Sequence, residues 1–118
     1  RYQNNLNKEN SEIFQQEDEF IIKLRTFILN NISDPDLNGD KIGSHFALSR
    51  VHLYRKLKAL TNLSISEFVK NMRLEKAREL LKENKMNVSE VADFTGFTSV
   101  SLFSRSFKQA FGQSPSKM

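Results

Sequence analysis

The chain has 118 residues, of which 38% are hydrophobic, enough for one compact domain with a packed core. It contains no cysteine, which excludes disulfides and thiol chemistry, and no apolar run approaches the ~20 residues that a membrane span needs. No secretory leader is visible, and the start at Arg1 leads us to expect a piece of a longer protein. We therefore expect a cytoplasmic location, with no membrane contact by this segment.

The net charge of +4 conceals an uneven distribution along the chain. Residues 1–40 contain eight acidic and four basic side chains, whereas residues 41–118 contain six acidic and fourteen basic ones. The second part is the expected partner-binding part, and a polyanion is its natural partner. Charge alone leaves nucleic-acid binding and simple solubility equally open.

Helical periodicity dominates the sequence. Residues 1–16 lack periodicity and are predicted to be a linker or disordered lead-in. A helix begins at Glu17, and the segment 33–40 ends it with Pro and Gly. "SISE" at 64–67 fits a capping box that opens the longest helix. After the first helix, the predicted helices cover about residues 40–46, 49–61, 65–84, 88–95 and 99–112, with a short last one from Pro115.

An internal repeat organises these helices. A shift of 50 residues pairs side chains of similar kind: Ser49 with Ser99, Leu53 with Phe103, Arg55 with Arg105, Leu57 with Phe107, and Lys58 with Lys108. Upstream, a shift of 49 fits better and brings Ile42 onto Val91, which implies one extra residue in the second turn. The predicted fold is therefore all-α, with about seven helices. Two helix-turn-helix subdomains, at about 40–61 and 88–112, are joined by a linker helix at about 65–84.

Each copy carries a basic face opposite its apolar stripe. On a helical wheel, Val51, Arg55 and Lys58 lie across from the first stripe, and Ser101, Arg105 and Lys108 lie across from the second. The linker helix, about 30 Å long, is close in length to the roughly 34 Å between successive major-groove faces of B-DNA. Two such faces in register indicate a repeated binding surface rather than a solvated one.

Two long segments carry a resemblance to a known family. "LSRVHLYRKLKALTNLSISEFVKNMRLEKARELL" (48–81) and "SEVADFTGFTSVSLFSRSFKQAFGQSPSKM" (89–118) resemble the two halves of the AraC-type DNA-binding domain. The resemblance covers about residues 17–118 and implies a sequence-specific domain of a transcription activator that binds promoter DNA. The lead-in at 17–40 is also similar to hybrid two-component regulators, in which such a domain ends a chain with sensor, kinase and receiver modules.

The resemblance and the wheel together give a set of candidate contacts. The predicted base-contacting residues are Val51, Tyr54, Arg55, Ser101, Leu102, Ser104 and Arg105. The predicted phosphate-contacting residues are Ser49, Arg50, His52, Lys56, Lys58, Ser99 and Lys108. The resemblance also points to Val100, but the wheel places Val100 on the core side, so it is left out. Arginine suits guanine because its fork bonds O6 and N7 together.

The sequence departs from the family pattern at two places. Ala47 stands in the first turn where the family usually has Gly, so it is strained if that site needs a positive φ. Asn38-Gly39 replaces an apolar or β-branched residue, which predicts that the first short helix starts late or is loose.

Other functional classes are less consistent with the residues. His45 and His52 are the only histidines, and there is no phosphate-binding loop or nucleophile elbow, so we expect no metal, cofactor or enzymatic activity. The alternative is a helical protein-interaction module of a signalling protein, with RNA polymerase as a further candidate partner. Non-specific coating of single strands would need exposed aromatic platforms, whereas these aromatics have core spacing. Any dimerisation would come through modules before residue 1.

Overall fold

The computed structural model describes residue 16 and residues 18–118, and this part of the chain is helical without strands, as predicted. Apart from residue 16, which is helical, the predicted lead-in lies outside the described residues. The first helix, α1, is helical over 18–30. Five α-helices and a 3-10 helix follow: α2 Gly39–Phe46, α3 Arg50–Thr61, α4 Ile65–Glu83, α5 Val88–Phe94, α6 Val100–Phe111, and Pro115–Lys117. No helix among the described residues is long and apolar enough to cross a membrane.

Side-chain caps set where most of these helices begin. In each case a side-chain oxygen accepts a hydrogen bond from a backbone N–H three residues later, at Asn38, Ser49, Ser64, Asn87 and Ser99. The predicted capping box of Ser64 and Glu67 is confirmed, and Asn87 forms a second box with Glu90. Because these bonds are local, the helix starts follow directly from the sequence.

The predicted looseness at the start of α2 is wrong. The Asn38 side chain accepts from Lys41 N at 3.0 Å, so the helix has an ordinary N-cap. Gly39 is buried, and a Cβ there would lie 3.3 Å from Ile65 Cδ1. The glycine therefore lets the first turn of α2 lie close against the start of α4.

Two hydrophobic cores correspond to the two helix-turn-helix units, and α4 belongs to both. The first core joins α1, α2, α3 and the beginning of α4, and includes Leu24, Ile28, Ile42, Leu53, Leu57 and Met72. The second core begins at Leu74 of α4 and includes Ala77, Val91, Phe103 and Phe107. The linker helix α4 thus packs into both units rather than serving as a solvent-exposed spacer between them.

The internal repeat is preserved in three dimensions. Helices α3 and α6 each have 12 residues and begin 50 positions apart. The paired positions Leu53 and Phe103 are both fully buried. The turns match as well, because Ala47 has φ 55° and Gly96, 49 positions later, has φ 82°. The predicted strain at Ala47 is therefore present, since a left-handed backbone is costly for a residue with a Cβ.

Arg73 of α4 connects the two units. This side chain is buried and donates hydrogen bonds to three backbone carbonyls. Its Nη1 donates to Ile32 O and to Thr95 O, the latter at 2.7 Å, and its Nη2 donates to Asp34 O at 2.9 Å. Ile32 and Asp34 follow α1, whereas Thr95 ends α5 in the second unit. One guanidinium therefore fixes the loop of the first unit against the turn of the second.

Candidate nucleic-acid interface

All seven predicted base-contacting residues lie at the surface of the two long helices of the repeat, α3 and α6. Six of them are exposed, and Ser104 is half-buried. Three are apolar or aromatic and yet leave much of their surface in solvent: Val51 at 56%, Tyr54 at 48% and Leu102 at 39% exposure. Exposed large apolar side chains next to cations are suited to contact base edges and thymine methyl groups.

Val100 lies differently from its position on the wheel. It is 42% exposed, so its placement on the core side is wrong. Val100 is the first residue of α6, next to the Ser99 cap, and the cluster of residues that packs around Phe103 does not include it. A wheel assumes a neighbour along the whole length of a helix, and this end of α6 projects past its core.

A cleft of about 510 Å³ lies between the two repeat helices, α3 and α6. Arg50 and Tyr54 of α3 line one side, and Leu102 of α6 lines the other. Between them α4 contributes Val69, Lys70 and Arg73. The cleft therefore brings together predicted contacts from both copies of the repeat, which are about fifty positions apart in the chain.

A second groove, of about 520 Å³, runs along α6. It is lined by Leu102, Arg105, Ser106, Lys108 and Gln109 of α6 together with Lys70 of α4. Leu102 borders both this groove and the cleft, so the two are adjacent. Three cationic side chains, Lys70, Arg105 and Lys108, thus line one open groove along α6.

The cations of this surface are largely free of acidic neighbours. In the part of the chain that the structure describes, no ion pair involves Arg55, Arg105 or Lys108. Arg50 lies 3.8 Å from Asp40, but both side chains are more than two-thirds exposed, so solvent screens this pair. The surface consequently keeps its positive charge available to an anionic partner.

The predicted phosphate contacts differ in their intramolecular partners. Ser49 and Ser99 act as N-caps, each accepting from the backbone at 3.1 Å, and neither hydroxyl donates a hydrogen bond to another described residue. Lys58 Nζ donates to Asn62 O at 3.3 Å at the end of α3. Lys56 Nζ lies 4.8 Å from the centroid of the Phe20 ring, so this side chain extends towards α1. His52 is exposed on α3.

Neither Arg73 nor Lys70 is among the contacts predicted from the sequence. A signal for Arg73 is present in the sequence, because it occupies the row of α4 that also contains Val69, Ala77 and Leu81, all buried. A cation at core spacing indicates a buried hydrogen-bonding role. Lys70 has no signal for its actual place, since its spacing aligns it with Leu74, Ala77 and Leu81, all buried, whereas Lys70 itself is exposed.

Comparison with known proteins places the chain in a family. The profile of a family described as "Helix-turn-helix domain" matches residues 42–118. The HTH-type transcriptional activator RhaS of Escherichia coli O157:H7 is 35% identical over 80 residues, covering 68% of this chain and 29% of that protein. Histidine kinase P4 of Formosa agariphila is 30% identical over 101 residues, covering 86% of this chain and 7% of that protein. The chain thus spans less than a third of either relative.

A solved structure agrees with this placement. The C-terminal domain of AraT, a response regulator from Geobacillus stearothermophilus, superposes with a TM-score of 0.74 at 30% identity. The superposition covers 82% of this chain and 80% of that one. The fold and the exposed basic faces of α3 and α6 define a double helix-turn-helix domain that binds DNA. The chain belongs to the AraC-type family of DNA-binding domains of transcription regulators.

Proposed function

We propose that the chain binds a promoter site with α3 and α6 in successive major grooves on one side of the duplex. The observation that carries this proposal is the exposed face that α3 and α6 share. The two helices have the same length, and both pack against α4. Helix α4 has 19 residues and is about 28 Å long, comparable to the roughly 34 Å of one turn of B-DNA. The contacts of Arg73 support a fixed angle between the two recognition helices.

Within this arrangement Arg55 and Arg105 contact guanine, each through its two-pronged guanidinium. Val51 packs against a thymine methyl group, while Tyr54, Ser101, Leu102 and Ser104 contribute the remaining base contacts. Phosphate contacts come from Lys108, from the helix starts at Ser49 and Ser99, and from Arg50, His52, Lys56 and Lys58. They orient the protein without selecting sequence.

We further infer that the domain is the output module of a longer regulator of the hybrid two-component kind. Its similarity to a 7% segment of a histidine kinase and to the C-terminal domain of a response regulator supports this. DNA as the partner implies a cytoplasmic location. Contact with RNA polymerase, and dimerisation through other modules, are the natural means by which such a regulator activates transcription.

Selection of bound duplexes from a random library tests the proposal. Two boxes about one helical turn apart are expected, because each recognition helix occupies its own groove. Arg105→Ala and Arg55→Ala should each weaken binding by about 1–3 kcal/mol and relax base choice at one position, in different boxes. Lys108→Ala is the matched control, and should weaken cognate and scrambled duplexes alike.

Two results would contradict this assignment. Equal losses of Arg105→Ala on cognate and scrambled duplexes would exclude base contact by that side chain. A selected motif with a single box would show that only one helix selects sequence.

The alternative, a protein-interaction module, has one specific observation in its favour. Ile22 and Leu29, seven positions apart on α1, are 62% and 42% exposed. An apolar strip of this kind suits a contact with another module of the same protein. As the sole function, however, it leaves the two unpaired basic faces without a role, and it predicts little salt-sensitive DNA affinity.

A further inference from the structure

The linker helix contributes a cation to the same surface as the recognition helices. Lys70 is exposed on α4 and borders both the cleft between α3 and α6 and the groove along α6. In that groove it shares the lining with Arg105 and Lys108. Among the described cations of α4, Lys70 lines both spaces, whereas Arg73 lines only the cleft and donates to backbone carbonyls.

The surroundings of Lys70 leave its charge available. Among the residues that the structure describes, Lys70 takes part in no ion pair. Glu67, one turn earlier, borders a neighbouring groove with Lys70, but its Oε1 accepts from Ser64 N at 3.0 Å in the capping box. The more distant cation Lys76 of the same helix is paired with Glu79 at 3.4 Å.

We propose that Lys70 binds a backbone phosphate of the DNA segment that lies between the two major grooves. The inference rests on the proposed function, because that segment passes over the cleft only if α3 and α6 occupy successive grooves of one duplex. The occupant is a phosphodiester, since the groove combines cations with serine and glutamine side chains and its cations lack acidic partners. Helix α4 is then a third element of the interface.

The first test measures how affinity depends on salt. One phosphate contact contributes about −0.9 to the slope of log affinity against log salt, so Lys70→Gln should make the slope shallower by about one. Between 50 and 200 mM salt, the ratio of wild-type to variant affinity should shrink about 3.5-fold. Lys82→Gln is the matched control, because this substitution removes the same charge from the same helix. Lys82 is exposed and lines neither the cleft nor the groove. Its slope should equal that of the wild type.

The second test locates the contact on the DNA. A series of duplexes is prepared, each with a single neutral methylphosphonate at a different position between the two boxes. Each duplex is titrated with the 118-residue chain and with its Lys70→Gln variant. One substitution is expected to weaken the wild type and to leave Lys70→Gln unaffected, because the charge it removes has already lost its partner.

Three outcomes overturn the proposal: an unchanged slope for Lys70→Gln, equal slope changes for Lys70→Gln and Lys82→Gln, or no methylphosphonate whose effect disappears in Lys70→Gln. Equal changes would mean a long-range field rather than a contact. Slopes are measured on selected and scrambled duplexes. If the wild type binds both duplexes with equal affinity, the proposed function is wrong. The difference in slope between the wild type and Lys70→Gln tests the Lys70 contact separately.

Discussion

Gly96 is the position where a single added carbon tests the connection between the two units. Its φ is 82°, and an added Cβ would overlap Arg73 Nη1 and lie 2.5 Å from Ile32 O. Gly96→Ala therefore has two effects, a strained backbone and a steric clash that displaces the buried Arg73 guanidinium and the Ile32 carbonyl to which it donates. The second effect acts on Arg73, which bonds to both the loop after α1 and the end of α5. Among the described residues, no other single side chain links α4 to both of these segments.

The magnitude follows from adding the two effects. A left-handed backbone costs an alanine about 1–2 kcal/mol, and the reduced freedom of the unfolded chain offsets about 0.4–1 kcal/mol of that. Loss of at least one Arg73 hydrogen bond to a carbonyl adds about 1.5–3 kcal/mol, since the donor is charged and buried. We expect Gly96→Ala to lower the free energy of unfolding by about 1.5–4.5 kcal/mol.

Gly112 supplies a matched control for this measurement. Its φ is 77°, yet no atom of the described neighbouring residues lies within 4 Å of an added Cβ. Gly112→Ala should therefore show the backbone strain alone, about 1 kcal/mol. Urea denaturation of both variants, followed by circular dichroism, gives the two free energies, and their difference measures the cost of displacing the contact between Arg73 and Ile32 O.

Equal destabilisation by the two substitutions would refute this reasoning. It would mean that Arg73 moves aside at no cost and does not hold the two units together. A small loss for Gly96→Ala, below that of Gly112→Ala, would contradict even the strain assigned to the turn.

The remaining predictions concern the first turn and a helix cap. Ala47→Gly should raise the free energy of unfolding by about 0.5–1 kcal/mol because it relieves a φ of 55°, whereas Ala59→Gly inside α3 should lower it by about 1 kcal/mol; denaturation curves that move in the same direction would contradict this. The backbone N–H of Ser64 lowers the pKa of Glu67, so this carboxylate stabilises the fold above its ordinary pKa range and the benefit is lost as pH falls through the lowered value. Glu67→Gln keeps the cap and should show a shallower loss of thermal stability on acidification; a decline as steep as in the wild type would exclude this role.

The sequence by itself determined the helices and the repeat. Caps such as Ser49 and Ser99 bond to backbone within one turn, and burial of Leu53 and Phe103 follows from their spacing, so local rules place the ends and faces of α3 and α6. The family resemblance added the assignment to DNA.

Only the tertiary structure decided how the two units are held and what lies between them. Arg73 finds its carbonyl partners 41, 22 and 39 positions away, in loops that meet because two cores share α4. Lys70 faces the same groove as Arg105 for the same reason, although its spacing on α4 aligns it with the buried Leu74, Ala77 and Leu81. Periodicity acts within one element, whereas contacts between elements depend on packing that no single segment encodes.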